Sequence, residues 1–349
     1  ARRQVALAHD DGAVHRDGGD APAIEPGATE VILGALDVLD RSSQVGPIVV
    51  GWADLVADVD TGSDTTFLAA VSRHQRLHRV AGVFDWVLPD VAAAVERLDR
   101  ADRRGRLTPR ERVRAAGALD AAADLLVSGG QADSALGVRA VADRVRAGAP
   151  APEPVDAVDR LLVAADALAH GDDGGWDLLE AVLGDASPTG TWSGPGPDGR
   201  RLGHDLAASA ALVLAVRSLL VAERDDGLDL LPTFPPTWFG GGIELHDAPT
   251  AWGRLSYGVR WHGPRPAVLW EVEVHEGLEP PVLRAPGLDP TWRSSEPRGE
   301  ALLAEVAPPE GIDLYRHVPD HPDIDPEMRR PGADPGPPPA QLPEGGSFS

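Results

Sequence analysis

The chain has 349 residues, of which 42% are apolar and 25% charged, and its formal charge is −23. At ~100–200 residues per domain this is enough for roughly two packed units. The excess of carboxylates excludes a nucleic-acid binder, which needs cations to displace phosphate counterions, and it excludes an anionic membrane surface as partner. The longest apolar stretch lies within Ala207–Val216, about half of what a bilayer-spanning helix requires. Cysteine is absent, so no disulfide, thiolate nucleophile or Cys-ligated metal is available. All 32 basic residues are arginine, and asparagine is missing as well. Lysine and asparagine both have AT-rich codons, so the composition reads as that of a high-GC bacterium. The nine tryptophans, against five phenylalanines and two tyrosines, fit codon bias as well as a sugar-binding surface.

Residues 1–28 are polar and Gly/Asp-rich, with Gly18-Gly19-Asp20 and Pro26-Gly27, and read as a loop or the end of an upstream region. No apolar signal-peptide core follows Ala1-Arg2-Arg3, and the only methionine is Met328. The expectation is a processed chain or a fragment, with the cytoplasm as default location.

Residues 29–226 read as successive antiparallel helical hairpins. Thr29 is placed as the cap of a helix with Ile32, Leu33, Leu36 and Leu39 on one face. Thr108-Pro109-Arg110-Glu111 is the clearest start, a capping box with proline at the first helical position. That helix is expected to stop at Gly129-Gly130. The next carries Leu136, Val138, Val141 and Val145, and another carries Val158, Leu161, Leu162, Ala165 and Leu168. His204–Glu223 is apolar nearly all round and belongs inside an assembly. Roughly nine helices of ~10–20 residues, joined by short Gly/Pro linkers, make the hairpin the unit.

Residues 227–315 change to period two. Leu255, Tyr257, Val259 and Trp261 alternate with Arg254, Ser256, Gly258 and Arg260. A turn at His262–Arg265 leads to Val268, Trp270, Val272 and Val274. Leu228–Leu231, Ile243–Leu245, Pro281–Arg284 and Ala301–Val306 are shorter candidates for a small antiparallel β module that packs on the helices. Residues 316–349 are proline-rich and expected to be disordered.

His74-Gln75-Arg76-Leu77-His78 has the i, i+4 histidine spacing of a zinc helix, but Gln75 stands where a metalloprotease has its glutamate base. No third ligand is placed by the sequence, so two half-exposed histidines are the default and no metal is expected. Asp58–Asp64 alternates carboxylates in the manner of a calcium loop without the twelfth-position glutamate. The plainer reading is a turn in which Ser63 or Asp64 caps a helix. The acidic stretch His170–Gly175 has the same standing. There is no phosphate loop, dinucleotide fingerprint or nucleophile elbow, and no cofactor is expected. Trp192, His204 and Asp205 flank the Gly-rich segment Gly194–Gly203, which makes them candidates for a ligand rim. The competing reading packs Trp192 in the core and uses Asp205 as a helix cap.

Thr189–Trp192, Gly203–Ala210 and Leu230-Leu231-Pro232, followed by Pro235–Ile243, Thr250–Trp261 and Arg265–Glu271, resemble the end of bacterial six-hairpin, glucoamylase-like glycoside hydrolases and their uncharacterised relatives. The resemblance covers about a third of the chain. It implies an α/α toroid closed by a β module, with an oligosaccharide as ligand, Trp86 and Trp192 stacking on sugar faces, and His204 and Asp205 hydrogen-bonding hydroxyls. Asp85 is the candidate acid, against a plainer role at a helix entry. The chain departs from the family where relatives carry Trp-Pro-Glu, because it has Trp192-Ser193-Gly194. Glycosidic hydrolysis requires two carboxyls at a defined separation, and no such pair is named here. A non-catalytic or incomplete glycoside-hydrolase-like protein is therefore expected. The alternatives are an active glycoside hydrolase using carboxylate acid/base chemistry, and a purely structural or interaction scaffold.

Overall fold

The computed structural model describes residues 26–55, 61–147, 153–195 and 201–308. The predicted tail at 316–349, most of the polar segment at 1–28, and Asp58 and Asp60 of the acidic stretch lie outside the described residues.

The described helices are α1 (Pro26–Val38), α2 (Ser42–Leu55), α3 (Thr61–His78), α4 (Val83–Arg103), α5 (Pro109–Ser128), α6 (Ala132–Arg146), α7 (Ala157–Ala169), α8 (Gly174–Gly184) and α9 (Leu206–Leu220). α5 begins as its sequence dictates. Glu111 N donates to Thr108 Oγ1, and Thr108 N donates to Glu111 Oε2 at 2.8 Å, so two otherwise unsatisfied amides are closed reciprocally. It ends at Gly129. α1 begins at Pro26 rather than after Thr29, which puts Thr29 inside the first turn, buried. α3 likewise begins at Thr61, so neither Ser63 nor Asp64 is a cap; both are buried within its first turn.

Odd-numbered helices pack side by side in the order α7–α9–α1–α3–α5. The even-numbered ones cover them, with α2 and α4 on α3, α6 on α5 and α8 on α7. Among the described residues no comparably packed pair joins α5 to α7. One apolar cluster runs through this two-layer array, with Leu33 and Leu36 of α1, Phe67 and Leu68 of α3, Leu119 of α5 and Leu219 of α9 all fully buried.

Among the described residues the chain then forms two four-stranded sheets. The first runs β10 (Arg298–Leu302), β7 (Arg265–Val274), β6 (Gly253–His262), β5 (Ile243–Thr250) and is antiparallel throughout. The second runs β3 (Val221–Arg224), β4 (Gly227–Leu230), β8 (Val282–Ala285), β9 (Asp289–Ser294). Its β4 and β8 pair in parallel, so the module is mixed rather than purely antiparallel. Leu255, Tyr257 and Val259 of β6 share one core with Leu228, Leu230 and Leu283 of the second sheet. A further two-residue hairpin, β1 (Gly194–Pro195) with β2 (Arg201–Leu202), brackets the Gly-rich segment before α9.

α9 was expected to continue to Glu223, but Val221–Arg224 instead pairs with Gly227–Leu230 around a two-residue turn. Helix and sheet are therefore one continuous piece of chain, and polar contacts tie them. Tyr257 Oη donates to Leu220 O at 2.7 Å. Arg254 holds the Asp40 carboxylate with two hydrogen bonds of 2.8 and 3.0 Å. His275 Nε2 lies 3.2 Å from Leu77 O and 3.3 Å from Thr250 O. Burial lowers the His275 pKa from its ordinary value, with the nearby Arg79 charge acting the same way.

Asp289 anchors the last strand. Its carboxylate accepts from Thr291 N, Thr291 Oγ1 and Ala304 N at 2.7–3.0 Å, led by the Thr291 bonds, and its pKa is lowered. Asp289→Ala is expected to cost about 1–2 kcal/mol in urea unfolding, the ordinary worth of charge-assisted hydrogen bonds. The folded state binds its proton more weakly than the unfolded chain. The wild-type advantage is thus complete above the ordinary carboxylate range and drains away as pH falls through the lowered folded value. A wild-type-to-variant difference that stayed constant below that range would refute the assignment.

Candidate functional site

A cleft of about 530 Å³ opens over α1, α3 and α5. Its walls carry Arg73, Arg76 and Arg79 from α3 and the turn after it, Arg114 and Asp124 from α5, and Glu30 from α1. Phe84 and Gly129 stand together in the lining, with the Phe84 ring against the Gly129 backbone where a side chain would go. Four arginines thus face two carboxylates in a chain whose net charge is −23. Both carboxylates are already engaged, Glu30 by Arg114 and Asp124 by Arg139, each at 2.8 Å. Arg73 and Arg114 lie over Gly34 and Gly27 of α1, where any Cβ would collide with their guanidinium groups. Arg73 Nη1 donates weakly to Glu30 O at 3.4 Å, and Arg76 reaches Glu223 at 3.5 Å.

Arg79 is held differently. It follows the last residue of α3 with φ of 46°, and its amide donates to Gln75 O at 2.9 Å. This is the left-handed helix-terminating position that glycine usually takes, and a side chain there is held at a conformational cost of about 1–2 kcal/mol. Among the described residues its guanidinium has no ion-pair partner. The sequence signal for this cleft is the repeat Arg73, Arg76, Arg79 at three-residue spacing, a basic stripe running off the end of one helix of an acidic protein. The sequence reading did not use it.

Behind this face, on the α1–α3 contact, lies a buried polar cluster. His74 and His78, one turn apart on α3, both face Asp37 of α1. Their side chains are 2%, 8% and 0% exposed for His74, His78 and Asp37 respectively. His74 is therefore buried and the His78 side chain nearly so, rather than half exposed as expected. His74 Nδ1 is 2.8 Å from Asp37 Oδ1. His78 Nε2 is 3.3 Å from the same oxygen but is not aligned for a hydrogen bond. Burial works against ionisation of Asp37, yet the His74 hydrogen bond and the close approach and charges of both histidines outweigh it and its pKa is lowered. Asp37 is the third group that the histidine spacing alone could not place. Its signal was a carboxylate at the i+4 position from Leu33, on the buried face of an otherwise apolar helix.

The residues singled out from the sequence fall into two separate places. Asp85 and Trp86 lie in the first turn of α4, both exposed, with Trp86 at 45%. Trp192 is buried, and its Nε1 donates to Val182 O at 3.0 Å. That packing leaves its ring no open face to stack on a sugar. Asp205 is buried as the cap of α9 and accepts from Ala207 N at 3.0 Å and Ala208 N at 3.3 Å. Its amide donates to Trp192 O at 2.7 Å, so both residues organise the helix start. His204 is exposed, with Nδ1 3.0 Å from Thr191 Oγ1. α4 packs on α2, α3, α5 and α6, while Trp192 follows α8, which packs on α7. The two tryptophans therefore belong to different parts of the array. In the other acidic stretch Asp172 accepts from Gly174 N at 2.9 Å, which is turn chemistry.

No protein-family model matches the chain, and neither a curated protein nor a solved structure does. No helix among the described residues is long and apolar enough to cross a membrane.

Proposed function

We propose that the chain is a non-catalytic, glycoside-hydrolase-like scaffold with a toroid-like helical array, and that its arginine-lined cleft binds an anionic saccharide. The observation that carries this reading is the concentration of four arginines in one cleft of a strongly acidic chain. The left-handed Arg79 supports it, because a strained side chain persists where its neighbourhood uses it. The volume is within the ~300–1,000 Å³ range of small-ligand sites. The toroid-like part is supported by the odd-numbered helices packing side by side, as the inner layer of an α/α toroid would. The non-catalytic part rests on the two cleft carboxylates, which each already hold an arginine.

The test is titration of the protein with hexuronate oligosaccharides and hexose phosphates at low salt, followed by calorimetry, with neutral α-glucan oligosaccharides as controls. Binding is expected for the anionic sugars and is expected to weaken with added salt. Arg79→Ala and Arg76→Ala should each weaken it about tenfold, the worth of one charge-assisted hydrogen bond. No heat with any anionic sugar at millimolar concentration would sink the reading. Release of reducing sugar that depends on Glu30 or Asp124 would overturn its non-catalytic part.

A further inference from the structure

We infer that Asp37, His74 and His78 form a binding site for a divalent transition-metal cation that staples α1 to α3. Two imidazoles and one carboxylate are a donor set that zinc takes in three-ligand sites, with the remaining position left to water or another oxygen. The same set suits other first-row divalent ions. One ligand atom from each residue lies within 4.8 Å of the others. The two shorter separations are 2.8 and 3.3 Å. Donors bound tetrahedrally at zinc distances stand roughly 3.3 Å apart, so small side-chain rotations make room for the ion.

The cluster is poorly satisfied without one. Two ring nitrogens converge on a single oxygen, Asp37 Oδ1, while Asp37 Oδ2 and His78 Nε2 are buried with no hydrogen-bond partner. Buried polar atoms are normally paired. A cation between the three groups, taking both oxygens of the Asp37 carboxylate, would give both atoms a partner at once.

The surroundings fit an outer shell. Asp40 Oδ1 is 4.0 Å from His78 Nδ1, on the ring edge opposite the one facing Asp37, where metal-bound histidines carry a second carboxylate. Asp40 is itself fixed by the two hydrogen bonds from Arg254. The other edge of His74 is approached by α2, whose Gly46 would carry a Cβ 3.4 Å from His74 Nε2. The three ligands come from two helices that pack directly on each other, so an ion there joins them and its binding energy becomes folding energy.

The experiment is calorimetric titration of the chelator-stripped full chain with zinc sulfate, followed by X-ray absorption on the loaded wild-type protein. We expect one equivalent bound more tightly than about 10 μM, and a melting temperature that rises with zinc concentration as mass action requires. The zinc shell is expected to contain two imidazole nitrogens. His78→Gln, which removes a ligand but no aligned hydrogen bond, should weaken binding at least tenfold. Absence of binding at about 100 μM zinc would overturn the inference. So would fewer than two imidazoles in the shell, or unchanged affinity in a folded His78→Gln protein. The absorption result on wild-type protein decides the matter even where that variant does not fold.

Discussion

Arg217→Ala is expected to lower the free energy of unfolding by about 3–5 kcal/mol, the range for breaking a buried charged contact. Arg217 stands in the last turn of α9, where helix becomes strand, with its side chain only 12% exposed. Its Nη1 donates to Val221 O at 3.1 Å and its Nη2 to Pro249 O at 3.0 Å. One guanidinium therefore closes a carbonyl at the start of β3 and another at the end of β5. Burial pushes its pKa below the ordinary arginine value, and the Glu223 carboxylate, 3.9 Å away, works against that shift. Alanine would strand both carbonyls in a place where water has little access and leave the Glu223 charge to Arg76 alone. Arg217→Lys keeps the charge without the planar fork and should recover about half of the loss. Urea unfolding with an unchanged m-value checks this. A loss below about 1 kcal/mol would mean that the junction hydrates readily and that Arg217 is not what holds helix to sheet.

What the sequence made legible was the chemistry that acts over a few residues. The capping box at Thr108–Glu111 spans only four residues, and α5 begins there. The alternation from Leu255 to Val259 is complete within one strand, and each of those residues is buried as its period demands. Trp261 continues that face but is only half buried, its ring tilted against Phe234 and Phe239 at centroid distances of 5.8 and 4.5 Å. The end of α9 was illegible for the opposite reason. Val221–Arg224 has apolar content suited to helix or strand, and the pairing with Gly227–Leu230 decides between them.

The same division separates the two candidate sites. The plainer readings of Trp192 and Asp205 were local, a packed indole and a helix cap, and both are in place. The His74–His78 pair was equally visible, but Asp37 lies 37 residues earlier than His74, and only the α1–α3 contact brings it there. The arginine cleft needs three helices, with Arg114 reaching over Gly27. Chain-local patterning carries no signal for a guanidinium that uses the absence of a side chain on another helix.

Arg97→Ala is expected to cost about 3–5 kcal/mol, and more than Asp64→Ala, although both remove the same pair. Asp64, in the first turn of α3, is 1% exposed, whereas Arg97 of α4 is 27% exposed. Arg97 Nε donates to both carboxylate oxygens at 3.0 and 3.1 Å, and Nη2 donates to Oδ1 at 2.7 Å. The hydrogen-bonded carboxylate raises the Arg97 pKa, with burial opposing it. When Asp64 is removed, the guanidinium can turn to solvent, and about 1–3 kcal/mol is lost. When Arg97 is removed, a carboxylate that cannot reach water loses three charge-assisted hydrogen bonds from two donors. The double variant should cost less than the sum of the singles by about 1–3 kcal/mol, the coupling expected of residues in direct contact. Four denaturation curves measure it. A coupling below about 0.5 kcal/mol would place this pair with exposed ion pairs, and the α3–α4 contact would then rest on its apolar residues alone.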